Sequence, residues 1–272
     1  VGYFGGGQSL ATRLKAVLRP LAYRIAGAFL GTRLKVLLAI STLAARQFSE
    51  AGFPAQRIYP FGYFVPTLSL PGGPVLPLVP SGTRTIRLVF VGSLVERKGI
   101  SHLIEAFRSV HGEFDTAGVT LTLDIYGSGA LPSGVEAPTG VTVKGLIPFG
   151  EAQAVISQYD ALVLPSLHDG WGVVVNEALL QGVPVIVSDA VGAKAPVLKA
   201  AAGAVVPAGD CAALAECFRS LLESPERLLS WKSGAQAIGA SLEPEVAATY
   251  LLACLKHGCG TTAERPIAPW YP

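Results

Sequence analysis

Residues 165–178, with the sequence PSLHDGWGVVVNEA, contain most of the side chains that are suited to chemistry. Gly170 and Gly172 precede an apolar stretch that we predict to be helical, and the first backbone amides of a helix are free to bind an anion. Asp169 lies at the start of this helix, and Glu177 follows eight residues later. A carboxylate can accept two hydrogen bonds from a vicinal diol such as that of a ribose. The alternative is an N-cap aspartate followed by an exposed helical glutamate, neither of which binds a ligand.

Two other corners that contain glycines also have residues that could bind a ligand. Residues 92–99 (GSLVERKG) include Lys98 close to a predicted helix start, where its point charge adds to free amides and suits a phosphate. The alternative there is a solvated lysine on a turn. Residues 127–129 (GSG) let the backbone approach a ligand closely, although most such loops are only turns. An amide-rich helix start, a lysine and a diol-binding carboxylate together describe a site for a nucleoside diphosphate.

Strands and helices alternate after residue 84, and their order determines where these corners lie. Apolar β-branched runs predict strands at 85–91, 119–125, 141–144, 161–164 and 184–188. Helical patterns are found at 98–111, 150–159, 173–181, 211–223 and 246–255. The alternation predicts an α/β fold, with a Rossmann-like parallel sheet and helices on both of its faces. Ligands of such folds bind beyond the carboxyl ends of the strands, and the three corners each follow a predicted strand.

Composition excludes several classes of protein. Half of the 272 residues are apolar and 15% are charged, which excludes intrinsic disorder. The net charge of +2 is too balanced for a nucleic-acid binder, so we expect no nucleic-acid partner. No run reaches the ~18 apolar residues of a membrane span, and the start does not resemble a signal peptide. The four cysteines lack the spacing of a zinc site or a disulfide framework, which favours reduced thiols in a cytoplasmic protein.

Residues 165–178 resemble the D/E-x7-E signature of retaining GT-B glycosyltransferases, in particular family 4. The family's usual form is P-S-x-x-E-G-x-G followed by a helix that contains E-A, and this chain has PS, then DGWG, then EA at 177–178. The sequence GVPVI at 182–186 resembles the family's G-x-P-V-I strand, and 92–99 resemble its G-R-L-x-x-x-K-G phosphate loop. Residues 41–59 resemble the last helix and turn before the interdomain linker. The resemblance covers residues 36–258.

The resemblance implies a role for each matching position. Glu177 would hold the ribose hydroxyls of the donor nucleotide, Asp169 would contact hydroxyls of the donor sugar, and Lys98 would neutralise the diphosphate. These three form the implied catalytic set. The implied donor-binding set adds Gly92, Ser93, Arg97, Gly127, Gly129, Gly145, Leu146, Gly170, Trp171, Gly172, Val173 and Val174; the backbone of Val173 and Val174 would help at the diphosphate, and Gly145-Leu146 would lie along the base. The resemblance implies front-face attack without a protein nucleophile, and no metal or other cofactor.

The resemblance also implies a division into domains. Residues 1–65 would be the remnant of a largely missing N-terminal acceptor domain. Residues 66–83 are predicted to be a linker from their own composition, because proline lacks an amide donor and stiffens the backbone. Residues 84–240 would form the donor domain, 241–258 the C-terminal crossover helix and 259–272 a tail. The chain begins with Val and has no methionine, so we expect it to be part of a longer protein.

The chain departs from the family pattern at two positions. Ser93 stands where the family has a basic residue, and Arg97, which could replace that charge, starts four residues later. Asp169 is one methylene shorter than the usual glutamate.

The function that fits best is retaining transfer from a UDP- or GDP-sugar to a glycan, a lipid-linked or a small-molecule acceptor. The alternatives are a non-catalytic sugar-nucleotide-binding protein and a dinucleotide oxidoreductase, which is disfavoured because no GxGxxG follows the first strand.

Charge is concentrated at the front of the chain. Residues 1–49 hold seven basic and no acidic residues, whereas the remainder holds 14 basic and 19 acidic ones. Apolar and basic residues are interspersed over 10–38, and such a cationic amphipathic segment can lie on an anionic membrane surface. We therefore expect a peripheral position at the inner face of the membrane. The alternative is a helix packed in the acceptor domain.

Overall fold

The computed structural model describes residues 10–69, 84–111, 113 and 118–272, and of residues 10–17, 19 and 20 it describes the backbone alone. The chain divides into two compact units. Unit 1 consists of Val1–Phe61 with Leu251–Pro266, and unit 2 of Gly62–Tyr250 with Ile267–Pro272, each with respect to its described residues. The predicted linker at 66–83 lies outside the described residues from position 70 onward.

Unit 1 contains two parallel strands and the helices around them, α1 (Leu10–Leu30), β1 (Leu37–Ile40), α2 (Ser41–Glu50) and β2 (Ile58–Phe61). Its core includes Ala39 and Phe53. The Arg57 guanidinium donates to the carbonyls of Gly31 (2.9 Å) and Leu34 (2.7 Å), and so fastens the end of α1 to the start of β2. The chain returns to this unit in the second half of α9 (Pro244–Gly258), where His257 Nδ1 lies 2.5 Å from the Tyr59 hydroxyl.

Unit 2 is built on a parallel sheet, which confirms the predicted α/β fold. Among the described residues, its six strands follow the order β5-β4-β3-β6-β7-β8. The strands are β3 (Arg84–Val91), β4 (Val119–Tyr126), β5 (Val141–Gly145), β6 (Ala161–Leu164), β7 (Val185–Ser188) and β8 (Gly203–Val206). Its helices are α3 (Ile100–Val110), α4 (Ala152–Ile156), α5 (Val173–Leu180), α6 (Lys194–Ala200), α7 (Cys211–Glu223) and α8 (Arg227–Gly239).

The sheet is covered by helices on both faces, as predicted. The path from β3 to β4 runs in one direction and the path from β6 through β7 to β8 runs in the other, so right-handed crossovers place α3 opposite α5 and α6. Helix α7 packs against α3, and α8 against α5 and α6. Strands β6 and β7 are buried along their whole length, which explains their continuous apolar sequences.

Some elements differ from the sequence prediction. The pattern at 194–206 and 227–239 was not assigned, yet it forms α6, β8 and α8. Pro196 does not prevent α6 because it lies in the first turn, where a backbone amide has no helical partner. The helix predicted over 150–159 is only as long as α4. Within the tail at 259–272, Trp270 is fully buried and its ring lies 4.5 Å from that of Phe64 in unit 2.

The helices were also compared with the requirements of a membrane span. No helix among the described residues is by itself both long and apolar enough. The segments Arg227–Leu242 and Pro244–Gly258 reach the required length and hydropathy only together, as a bent pair. Residues of both segments are buried in the protein, among them Leu228, Ile238 and Cys254.

Candidate functional site

The candidate site lies where the winding of the sheet reverses, between the neighbouring strands β3 and β6. The loop at 92–99 follows β3 and the loop at 165–172 follows β6. Their backbones are joined by a hydrogen bond from the Leu167 amide to the Arg97 carbonyl (2.8 Å). Two corners that are about 70 residues apart in sequence therefore share one edge of the sheet.

Lys98 and Asp169 form an ion pair across these two loops. Only 15% of the lysine side chain and 12% of the aspartate side chain are exposed. The backbone of Asp169 is also fixed to the loop after β7, because its amide donates to Ala190 (3.1 Å) and its carbonyl accepts from Gly192 (3.1 Å). The structure thus brings together two of the residues that were predicted to act on the donor.

The start of α5 is open to a ligand. Its N-cap residue is Gly172, and no side chain hydrogen-bonds to the cap, so Asp169 is not the capping residue of the alternative interpretation. Gly172 has a φ of 91°, which favours glycine, and a Cβ there would make a tight contact of 3.0 Å with Leu164 Cδ2. A Cβ on Gly170 would meet nothing within 4 Å. Val173, the first residue of α5, is partly exposed.

Glu177 lies in the second turn of α5 and is half-buried, in contrast to the exposed glutamate of the alternative interpretation. Burial raises the pKa of its carboxyl group. Among the described residues, no group donates a hydrogen bond to this carboxylate or pairs with it. Removing a charged group from water without a partner is unfavourable, and a ligand with hydroxyl donors would supply the missing partners.

The predicted glycines at the carboxyl ends of β3, β4 and β5 lie together at one edge of the sheet. The Gly127 amide donates to the Gly145 carbonyl (2.8 Å), and the Gly92 amide donates to Tyr126 (2.9 Å). A Cβ on Gly127 would lie 1.8 Å from the Gly92 carbonyl oxygen, so this corner closes only with glycine. Gly129, next along the chain from this corner, is exposed.

Three of the predicted donor-binding residues, Ser93, Arg97 and Leu146, have exposed side chains. Ser93 is exposed and accepts a 3.4 Å hydrogen bond from Ser128 Oγ. The Arg97 guanidinium is exposed and donates to the His168 carbonyl (3.3 Å), beside Asp169. Its positive charge therefore lies close to the Lys98–Asp169 pair, although its backbone starts four residues after Ser93. Leu146, which follows β5, has an exposed side chain.

Trp171 differs from the other predicted donor-binding residues because its side chain is fully buried. Its indole N–H donates to Asn176 Oδ1 (3.0 Å), and the Asn176 amide in turn donates to the Tyr63 carbonyl (2.9 Å). A Cβ on Gly62 would lie 2.4 Å from the indole. The indole thus belongs to the core. Only the backbone of Trp171 is therefore expected to contact a sugar-nucleotide donor. Asn176 was missed because a buried asparagine beside an apolar run has no distinctive sequence signal.

Metal-ligating side chains were sought in the same part of the molecule. Within the described ranges, no three His, Cys, Asp or Glu side chains are grouped as a metal site requires. The absence of a metal or cofactor requirement stays a prediction.

Residues 85–224, slightly more than half of the chain, match the family model described as "Glycosyl transferases group 1". The chain belongs to this family. The match confirms the predicted membership of the glycosyl transferases group 1.

Individual relatives of this chain are named as glycosyltransferases. It is 32% identical over 154 residues to a 2-deoxystreptamine glucosyltransferase of Streptomyces kanamyceticus, covering 52% of this chain and 37% of that protein. It is 31% identical over 235 residues to a phosphatidyl-myo-inositol mannosyltransferase of Mycobacterium leprae, covering 82% of this chain and 57% of the relative. The chain therefore spans between about a third and somewhat more than half of the length of these relatives.

The fold agrees with solved structures of low sequence identity. HepE of Anabaena in complex with UDP superposes with a TM-score of 0.68 at 18% identity, over 88% of this chain and 68% of that one. Sucrose-phosphate synthase of Thermosynechococcus elongatus superposes with a TM-score of 0.63 at 19% identity, over 85% and 61%. The predicted GT-B type fold is thereby confirmed.

Proposed function

We propose that this chain binds the donor of a retaining, nucleotide-sugar-dependent glycosyltransferase of family 4. The observation that carries the proposal is the meeting of Lys98, Asp169 and the open start of α5 at the switch point of the sheet, with an unpartnered Glu177 one turn further on. HepE, whose fold is similar, has been solved with UDP and with UDP-glucose, which supports a nucleotide-sugar ligand.

The diphosphate would lie at the start of α5. The amides of Val173 and Val174 and the positive end of the helix dipole face an anion bound there. The Lys98 ammonium adds a charge-assisted hydrogen bond, and Arg97 a second positive charge at the rim. These groups stabilise the negative charge that develops on the diphosphate when the bond between the anomeric carbon and the phosphate oxygen breaks.

The two carboxylates would bind the two sugars of the donor. Glu177 accepts hydrogen bonds from both ribose hydroxyls, which offsets the cost of its burial. Asp169 accepts from hydroxyls of the transferred sugar, while Gly145 and Leu146 lie along the base. The acceptor hydroxyl attacks on the face from which the diphosphate leaves, so the configuration is retained and no nucleophile of the protein takes part.

Donor binding and stereochemistry are tested separately. Calorimetry of the chain with UDP, GDP and NAD should show binding of one nucleoside diphosphate and none of NAD; failure of both UDP and GDP to bind would refute the proposal. NMR of UDP-glucose hydrolysis, with water as acceptor, should show α-glucose first, and β-glucose first would refute retention. Binding of the donor without any turnover by the full-length protein would favour the non-catalytic alternative, which the replacement of a basic residue by Ser93 supports.

We further propose that α1 attaches the protein to an anionic membrane surface. Leu18, Leu21, Ile25 and Phe29 recur every three or four residues, and therefore share one face of the helix. They are 50%, 55%, 52% and 70% exposed, an unusually apolar strip for a protein surface. Residues 1–49 contain seven basic and no acidic residues, so the surroundings of the strip attract anionic lipid. This attachment would suit a lipid-linked acceptor at the cytoplasmic face.

Vesicle binding tests this attachment. The chain should cosediment with phosphatidylserine vesicles at low salt and be released as salt rises, because screening weakens the attraction. Ile25→Gln with Phe29→Gln should abolish cosedimentation, whereas Leu252→Gln, which alters an exposed leucine of α9 in the same unit, should not. If the wild-type chain does not bind the vesicles even at low salt, α1 does not attach the protein to a membrane.

A further inference from the structure

We infer that the Lys98–Asp169 ion pair makes the site prefer an intact sugar nucleotide over the nucleoside diphosphate that remains after transfer. The inference rests on the proposed function, because it concerns the same donor site. It adds a second role to Asp169, which acts through Lys98 as a competing counter-ion.

Lys98 and Asp169 are direct partners of each other. Asp169 is the side-chain partner of the Lys98 ammonium among the described residues, and both groups are largely shielded from water. A diphosphate that approaches Lys98 therefore meets a charge that is already neutralised, with a carboxylate next to it. Binding must separate the pair, which leaves Asp169 without its partner beside further negative charge.

An intact donor can compensate for this separation. Its sugar hydroxyls donate hydrogen bonds to Asp169, and these replace the hydrogen bond from Lys98. The free diphosphate has no sugar to offer, so it bears the full cost of separating the pair. After transfer the sugar is no longer attached to the diphosphate. The ion pair between Lys98 and Asp169 can then form again, and the product diphosphate is released more readily.

The geometry indicates which of the two residues moves. The backbone of Asp169 is held on both sides, by the carbonyl of Ala190 and the amide of Gly192. Lys98 has a flexible four-carbon stem and comes from a different loop. Lys98 therefore exchanges partners while Asp169 stays in place.

The test compares two ligands on the full chain. Calorimetry with UDP and UDP-glucose, or with GDP and GDP-mannose if the wild type prefers guanine, gives the preference for the intact donor as a ratio of Kd values. Asp169→Asn keeps the size of the side chain and removes its charge. We expect this variant to bind the bare diphosphate roughly three- to tenfold more tightly than the wild type, because the cost of separating one screened ion pair no longer opposes binding. UDP-glucose should bind no more tightly, so the preference decreases.

Two further variants keep the inference falsifiable. Glu96→Gln removes an exposed carboxylate of the same loop and should leave the ratio unchanged. In a Lys98→Ala background, Asp169→Asn should give a smaller gain in diphosphate affinity. Weaker or unchanged UDP binding by Asp169→Asn would overturn the inference, and so would an equal gain in both backgrounds, since Asp169 would then repel the diphosphate directly. A wild-type chain that binds neither UDP nor GDP would instead refute the proposed function.

Discussion

Replacing Glu177 by alanine should weaken nucleotide binding while the protein remains folded. The carboxylate is half-buried and has no partner among the described residues, so its favourable interactions are available only to a ligand. Hydrogen bonds to a charged group contribute about 1.5–3 kcal/mol, and each 1.36 kcal/mol corresponds to a factor of ten in affinity. We therefore expect the Kd of the preferred nucleoside diphosphate to rise about 10- to 150-fold in Glu177→Ala.

The assay is calorimetry with the nucleoside diphosphate and with the free nucleoside. Both ligands contain the ribose, so Glu177→Ala should weaken both. Glu223→Ala, which removes an exposed helical glutamate at the end of α7, is the matched control and should leave both affinities unchanged. A folded Glu177→Ala protein that binds the nucleoside diphosphate with the wild-type Kd would exclude Glu177 from the site.

The same carboxylate should lower the free energy of unfolding at neutral pH. Burial raises the pKa of Glu177 in the folded state above its usual value of 4.5. The folded state then binds the proton more readily than the unfolded state, so stability decreases as pH rises from about 4.5 through the folded-state pKa. Glu177→Gln cannot titrate and should be more stable than the wild type in urea at pH 7, with the difference shrinking at pH 4. A constant difference at both pH values would contradict this linkage.

Three further predictions concern other parts of the chain. Lys98→Ala should weaken UDP or GDP binding at least about tenfold but leave the free nucleoside unaffected, because its charge meets only the phosphates; equal losses in calorimetry would contradict this. Gly127→Ala should destabilise the protein to urea because its Cβ meets the Gly92 carbonyl at 1.8 Å, whereas Gly170→Ala should retain the wild-type midpoint. Trp270→Ala should cost about 3–5 kcal/mol of unfolding free energy, although it lies in the predicted tail, and an unchanged midpoint would show that the tail is dispensable.

Local patterns were sufficient for much of the fold. The apolar runs that became β6 and β7 are buried along their whole length because both faces of a parallel sheet exclude polar side chains there, whereas β4 alternates buried apolar with partly exposed residues. The glycine at 127 follows the end of β4, where the close approach of the Gly92 carbonyl allows no side chain, and the glycine at 172 starts α5 with a positive φ. Weakly apolar or proline-containing segments such as β8 and α6 were missed, because contacts with the rest of the unit, and not their own periodicity, stabilise them.

By itself, the sequence determined the α/β class, the strand ends at which a ligand would bind and the chemical types of the residues there. The tertiary structure alone decided which of them meet. Lys98 pairs with Asp169 because β3 lies beside β6, and the order of strands in a sheet is a long-range property that no local pattern contains. The same holds for the burial of Trp171 and the unpartnered state of Glu177 on one short helix. Whether a side chain is desolvated depends on what packs around it, and those neighbours come from distant parts of the chain.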